Sequence, residues 1–350
     1  MRRLILTVTV LMLATWAAPA LAIEGRIPIF QATTITQPGH YDVTNDIQVT
    51  GGDAIVIDAD GVTLDLNGRS VSSSSSTGTI IRILAARRNI SIRGGRLSGG
   101  AYGVYYLSTT ALTRVSIEDV EVLNVATDGI HLEGVERADI SDCILHASGH
   151  FGIYVRGVFT NHFTGRIIDN TIDNAGYGGI YVADGDALEI RGNIVTDSDL
   201  SGACCGVGIG ISGTGGRSGG HRVDSNTIQG GGPNTNGLLI DGSIVLGDNS
   251  LIINNVITGN GAAGIVLDAS GNRVVGNVVG ANGSHGIRVA YRRNLIDGNQ
   301  VEGNSGNGLF FLSGAPSTGH VYRNNMLRGN TLGGVSDTGG TATDGGGNAL

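Results

Sequence analysis

The chain has 350 residues, with 22 arginines, no lysine, 30 acidic residues and a net charge of −8. That balance excludes general nucleic-acid binding, which needs a basic footprint, and the missing lysines exclude Schiff-base or lysine-as-base chemistry. Glycine, at 60 residues, is far above the roughly 7% average, but it is interleaved with Val, Ile and Leu at steady intervals, the apolar content that disordered chains lack.

At the start, Arg2 and Arg3 precede an apolar run over residues 4–13, and "APALA" places small residues at a cleavage site near Ala22. This is the layout of a secretory signal peptide over residues 1–22, so a periplasmic or extracellular protein is predicted. No later run approaches the apolar length of a membrane span. Without the leader, 20 basic residues face 30 acidic ones, and the only tryptophan, Trp16, is lost. Stacking on sugar rings would then fall to Tyr and Phe. Of three cysteines, Cys143 sits in a repeat position and is expected to be buried. Cys204 and Cys205 are adjacent, either as a vicinal disulfide or as two free thiols.

Residues 23–50 are expected to cover the open end of a core, and residues 51–340 to form a repeat. A phrase "xGI" recurs with its glycine at 103, 129, 152, 179, 208, 237, 264, 286, 308 and 334, in steps of 22 to 29 residues. A second phrase runs in step, as in "RIIDNTI", "RVVGNVV" and "LIDGNQV", with asparagines at 170, 193, 226, 255, 277, 299 and 325. Short alternating strands in units of this length, with no helical period, fit neither leucine-rich repeats nor propeller blades. They predict an all-β, single-domain parallel β-helix of roughly ten to twelve coils. Coils then repeat at about 4.8 Å along the axis, and the asparagines stack into a ladder inside a turn, closing backbone groups otherwise orphaned. The tail, residues 341–350, shows no amphipathic cap.

These coils resemble the right-handed parallel β-helix proteins of the pectin-lyase-like superfamily, especially the NosD-like and carbohydrate-binding or sugar-hydrolase groups. The opening "ITQPGHYDVTNDIQVTGGDAIVIDADGVTLDLNG" (residues 35–68) is similar to their first coils. The likeness spans roughly residues 30–340 and implies the right-handed fold. That fold hosts lyases, hydrolases, epimerases, adhesins and binding modules alike.

Strand side chains alternate in and out. In "DGIHLEG" (residues 128–134) Ile130 and Leu132 face the core, so His131 and Glu133 face outward. Carried along the coils, one outward row reads Arg82, Tyr105, His131, Tyr154, Tyr181 and Gly210, and a second reads Leu107, Glu133, Arg156, Ala183 and Ser212. Six of the nine tyrosines fall between Tyr102 and Tyr181. The next coil is lengthened by "GVFTNHFTG", which puts Phe159 and His162 on a bordering loop. Together these predict a groove for an acidic, uronate-containing polysaccharide. Arg156 pairs with the carboxylate, His131 removes the proton α to it, Tyr154 or Tyr105 donates one, and Glu133 lies beside them. Tyr105, Tyr181, Asp128, Phe159 and His162 are expected to touch substrate. Returning the proton to the opposite face is C5 epimerisation; expelling the glycosidic oxygen is β-elimination. Mannuronan epimerases of the superfamily carry Asp-Pro-His in the groove, whereas this chain has Asp128-Gly129-Ile130-His131, with different spacing and no proline.

Other classes stand beside this one. Asp241 and Asp268 fall on adjacent coils in one row, where they can hold Ca²⁺, serve a retaining glycosidase or simply form turns. No other cofactor or metal is expected. The signatures of polygalacturonases and of calcium-dependent pectate lyases are not found. Copper delivery would want a Met, Cys and His cluster, but Met326 is the only methionine after the leader. The main competitor is a non-catalytic glycan-binding or adhesive solenoid, which needs only the fold and an aromatic strip.

Overall fold

The structure is a computed structural model that describes residues 25–109, 113–158, 163–199, 206–213, 219–242, 249–314 and 317–350. The expected leader and the Cys204-Cys205 pair lie outside the described residues.

A strand cannot satisfy its own N–H and C=O groups, so each here pairs with the equivalent strand one coil away. Every named pairing is parallel. Thr33–Ile35, Ile55–Ile57, Thr79–Ile83, Tyr102–Leu107, Ile130–Glu133 and their successors to Gly333–Ser336 form a thirteen-stranded sheet. The remaining strands of each coil form a second sheet of twenty-four. The result is an all-β, right-handed parallel β-helix of about 11 turns.

Register holds where the site lies. Tyr105 pairs with His131, His131 with Tyr154, and Tyr154 with Tyr181. The inward neighbours stack equally: Val104, Ile130, Ile153, Ile180 and Ile209 are all fully buried. Each contributes about 2 kcal/mol by burial, but only against the coils above and below, so stability is a sum over neighbours.

The asparagine phrase forms the expected ladder. The N–H of Cys143 donates to Asn170 Oδ1 at 3.0 Å, and both the N–H and Nδ2 of Asn170 donate to Asn193 Oδ1 at 3.1 and 3.0 Å. The series continues through Asn226, Asn255, Asn277, Asn299 and Asn325 to Asn348. The residue before each rung often turns the corner in the left-handed region, as Asp169 (φ 57°) and Asn254 (φ 57°) do, which suits Asp, Asn and Gly. Cys143 is buried as expected, and burial pushes its thiol up to about 12.

Sequence reasoning missed a second ladder, Asn260–Asn282–Asn304–Asn330. Its signal was present: each of these follows a rung of the first ladder by five residues. The glycine of the "xGI" phrase is required by space. A Cβ at Gly208 would stand 2.2 Å from Ile228 Cγ2 and 2.7 Å from the carbonyl oxygen of Gly237, so the position is set by close approach.

Both ends extend the ladders. Within the stretch expected as a cap, Arg26–Ile29, Thr33–Ile35, Gly39–Val43 and Ile47–Val49 pair with strands of the next coil. In the tail, Ala342–Asp344 pairs with His320–Arg323, and the N–H of Leu327 donates to the carbonyl of Ala349.

Candidate functional site

The strands Tyr102–Leu107, Ile130–Glu133, Phe151–Arg156 and Gly178–Ala183 present one continuous aromatic row. Ring centroids are 5.1 Å apart for Tyr105 and His131, 4.7 Å for His131 and Tyr154, and 6.0 Å for Tyr154 and Tyr181, with planes 22°, 14° and 10° apart. The spacing follows from the coil rise, because residues one coil apart sit about 4.8 Å apart.

A flanking row comes from the residue just before each "xGI" glycine. Tyr102 packs on Tyr105 (4.6 Å) and on the edge of His131 (5.4 Å), while Phe151 stacks on Tyr181 (5.2 Å). Asp128 occupies the same position between them, in register with Tyr102 and Phe151 by the pairing of its strand. Its side chain is only 3% exposed. Oδ1 accepts the N–H of Phe151 at 2.8 Å and lies 3.2 Å from His150 Nδ1, and Oδ2 lies 2.7 Å from His131 Nδ1.

Burial alone would push the Asp128 carboxyl up, but the hydrogen bonds from His131, His150 and the Phe151 N–H together hold it below the usual carboxylate range. An ionised carboxylate accepts only, so Nδ1 of a neutral His131 carries the proton and Nε2 keeps the lone pair. That nitrogen lies 3.8 Å from Glu133 Oε2.

Beside the row, Arg156 contacts Glu133 Oε1 through Nη1 (3.3 Å) and the fully buried Asp184 through Nε (3.4 Å). Burial lowers the Arg156 guanidinium, but Tyr154, Glu133 and Asp184 outweigh this and hold it above its ordinary value. Two acceptors do not use up the five N–H groups of a guanidinium. The Tyr154 phenol is pushed up, first by burial and then by the Glu133 charge, so it stays protonated at neutral pH.

The expected site residues therefore divide. His131, Tyr154, Arg156, Glu133, Tyr105 and Tyr181 come together on one wall. Asp128, expected to touch substrate, sits beneath His131 because its carboxylate is taken up by two imidazoles and a backbone amide. Tyr181 donates its hydroxyl to Ser212 Oγ at 2.9 Å. Phe159 and His162 lie outside the described residues. His150, Tyr102 and Asp184 were missed; the first two belong to the "xGI" flank, where the strict alternation of the strand has not yet begun.

Asp241 and Asp268 pair in register, but Arg288 Nη1 reaches both oxygens of Asp268 at 2.9 and 3.0 Å. Arg288 thus compensates the charge of Asp268. Burial and then Asp268 push the Asp241 carboxyl up. Among the described residues no cluster of three or more His, Cys, Asp or Glu can hold a metal ion. A separate concavity of about 690 Å³ is lined by Asp46, Asp65, Arg96, Asp119, Glu121 and Asp142, with Arg96 paired to Glu121 at 2.6 Å.

A family model described as "Right handed beta helix region" matches residues 102–202 and 156–332. Among solved structures, the chain is similar to the mannuronan C-5 epimerase AlgE6 A-module of Azotobacter vinelandii, with a TM-score of 0.68 at 16% identity over 91% of this chain and 90% of that one. It is also similar to a variant of the periplasmic alginate epimerase AlgG, with a TM-score of 0.53 at 16% identity over 89% and 76% of the two chains. No curated protein matches. At such identities the likeness is one of fold.

Proposed function

The chain belongs to the right-handed β-helix family, and from that premise we propose that it takes the C5 proton from a uronate residue of an acidic polysaccharide, as a C5-epimerase or a lyase. One observation carries the reading: an imidazole fixed from behind by a buried carboxylate stands in an aromatic row beside an arginine.

Each group has a part. Arg156 pairs with the uronate carboxylate and stabilises the charge that spreads onto it when the C5–H bond breaks. Nε2 of His131 receives that proton, and the imidazolium formed is stabilised by Asp128 through Nδ1. For epimerisation a proton must reach the opposite face of C5, a step that Tyr154, stacked on His131 on the same wall, leaves to solvent; for elimination its protonated phenol gives one to the glycosidic oxygen. The rings stack on one another, so their edges form the wall along which an extended sugar chain lies. The epimerase names of the solved neighbours support the first outcome. The leader supports action in the periplasm or outside the cell.

A second reading is a non-catalytic glycan-binding surface, which needs only the aromatic strip of Tyr105, His131 and Tyr154. Incubation with polymannuronate and polygalacturonate in D₂O separates the readings. Deuterium at C5 marks an epimerase, and the absorbance of unsaturated uronates marks a lyase. Retention without either marks a binder. His131→Ala is expected to abolish turnover with the β-sheet circular dichroism intact; unchanged turnover ends the proposal.

A further inference from the structure

Asp128 faces two imidazoles, and the activity proposed above uses one of them. The equivalent position in other coils shows what the fold itself asks of it. Asp53 Oδ1 accepts the N–H of Thr79 at 2.9 Å, Asn236 Oδ1 that of Ala263 at 3.2 Å, and His285 Nδ1 that of Asn307 at 3.1 Å. Asp128 does the same with Phe151. Closing that amide is the structural task, and an asparagine or a histidine performs it elsewhere. The two imidazole contacts are additional to it.

The two rings differ in access. The His150 side chain is 46% exposed, and its ring packs 4.8 Å from Tyr177 and 4.4 Å from Phe151. The His131 side chain is 15% exposed and enclosed in the aromatic row. His150 is therefore the more open of the two rings to solvent.

We infer that His150 is a positioning residue for the His131–Asp128 pair, holding Oδ1 so that Oδ2 faces His131 and tuning the basicity of His131 through its own charge. The consequence for turnover rests on the proposed function; the coupling between the two rings does not. A cationic His150 draws on the same carboxylate and repels an imidazolium at His131. Facing His131 are Asp128, Glu133 on its own strand, Tyr102 and Tyr105 on the preceding coil, and Tyr154 and Arg156 on the next. Facing His150 are Asp128 and Tyr177. Of all these, only the two imidazoles ordinarily change charge between pH 5 and 8.

The test is a nitrogen-15 titration of the His131 ring in the full protein, wild type against His150→Ala and His150→Gln, alongside the acid limb of turnover on the uronate polymer. In His150→Ala, the His131 titration is expected to move upward, with the acid limb moving the same way and turnover reduced at every pH. In His150→Gln, the amide still donates to Oδ1, so turnover at the optimum recovers while the upward shift stays. An unmoved His131 titration in both variants overturns the inference. A shifted titration without turnover on any uronate polymer retires the proposed activity and keeps the positioning role; turnover without the shift does the reverse.

Discussion

The imidazole of His131 and the phenol ring of Tyr154 stack face to face, 4.7 Å apart with planes 14° from parallel. They come from separate coils, joined through the in-register pairing of Ile130–Glu133 with Phe151–Arg156. A base and a protonated acid are thereby held at one coil spacing by backbone hydrogen bonds. Tyr154→Phe keeps the ring and removes only the proton donor. Turnover on the uronate polymer is expected to fall roughly 100- to 10,000-fold, with thermal stability and the His131 ring signals unchanged. Wild-type turnover in this variant would take the acid role from Tyr154.

Asn277 stands in mid-ladder and satisfies neighbours on both sides. Its Oδ1 accepts from the N–H and Nδ2 of Asn255 at 2.8 and 2.9 Å, and its Nδ2 donates to the Ile252 carbonyl at 3.0 Å and to Asn299 Oδ1 at 3.0 Å. Asn277→Ala leaves several buried groups without partners, each worth about 1–3 kcal/mol. A loss of about 3 kcal/mol or more is expected in urea unfolding. Asn348→Ala, at the exposed end of the series, should lose far less. Equal losses would mean that the ladder is not cooperative.

How much was legible follows from these residues. The row Tyr105–His131–Tyr154–Tyr181 could be read because strand alternation fixes which side chains face outward and the repeated glycine fixes the register. The rungs at Asn170 to Asn325 could be read for the same reason. The place of Asp128 could not. It lies before the glycine, where the chain is still turning into the strand, so alternation says nothing of its direction. Whether His150, 22 residues later, reaches the same carboxylate depends on how the intervening turn folds, which no period in the sequence encodes. Asp184 beneath Arg156 is likewise a residue in the left-handed region (φ 56°) just past a strand end.

Glycines at different positions should fail differently. At Gly208 an added Cβ collides with Ile228 and with the Gly237 carbonyl. At Gly68 the space is open but φ is +69°. Gly68→Ala is expected to lose about 1 kcal/mol through backbone strain, and Gly68→Asn to be nearly neutral because asparagine tolerates that region. Gly208→Ala and Gly208→Asn should both lose more, within or above the roughly 1–3 kcal/mol of overpacking. Melting temperatures of the four variants decide this; rescue of position 208 by asparagine would show that its conformation, not its space, matters.

Two buried histidines stand in for asparagine in a third series of contacts and should make the solenoid acid-sensitive. His221 Nδ1 accepts the N–H of Leu188 at 3.4 Å, and His320 Nδ1 accepts that of Asn294 at 3.3 Å. Accepting at Nδ1 requires the neutral ring. Burial lowers both imidazoles to about 4, Asp337 offsetting only part of this at His320. The unfolded chain binds these protons near its ordinary value of about 6.5. Between those two values the unfolded state holds more protons, so stability is complete above about pH 6.5 and falls as pH drops toward 4. Fully expressed, the loss is about 3 kcal/mol for each histidine. The carboxylates held low, such as Asp297 beside Arg323 and Asp224 beside Arg222, act in a separate window below their own ordinary values. Urea midpoints at pH 7.5 and 5.0 therefore isolate the histidines. His221→Asn and His320→Asn, which keep an acceptor without a titrating ring, are expected to shrink the difference between the two pH values, leaving the part due to His285, whose imidazole burial and then Arg288 also hold low. If both variants lose as much stability as the wild type on acidification, the sensitivity resides elsewhere in the chain.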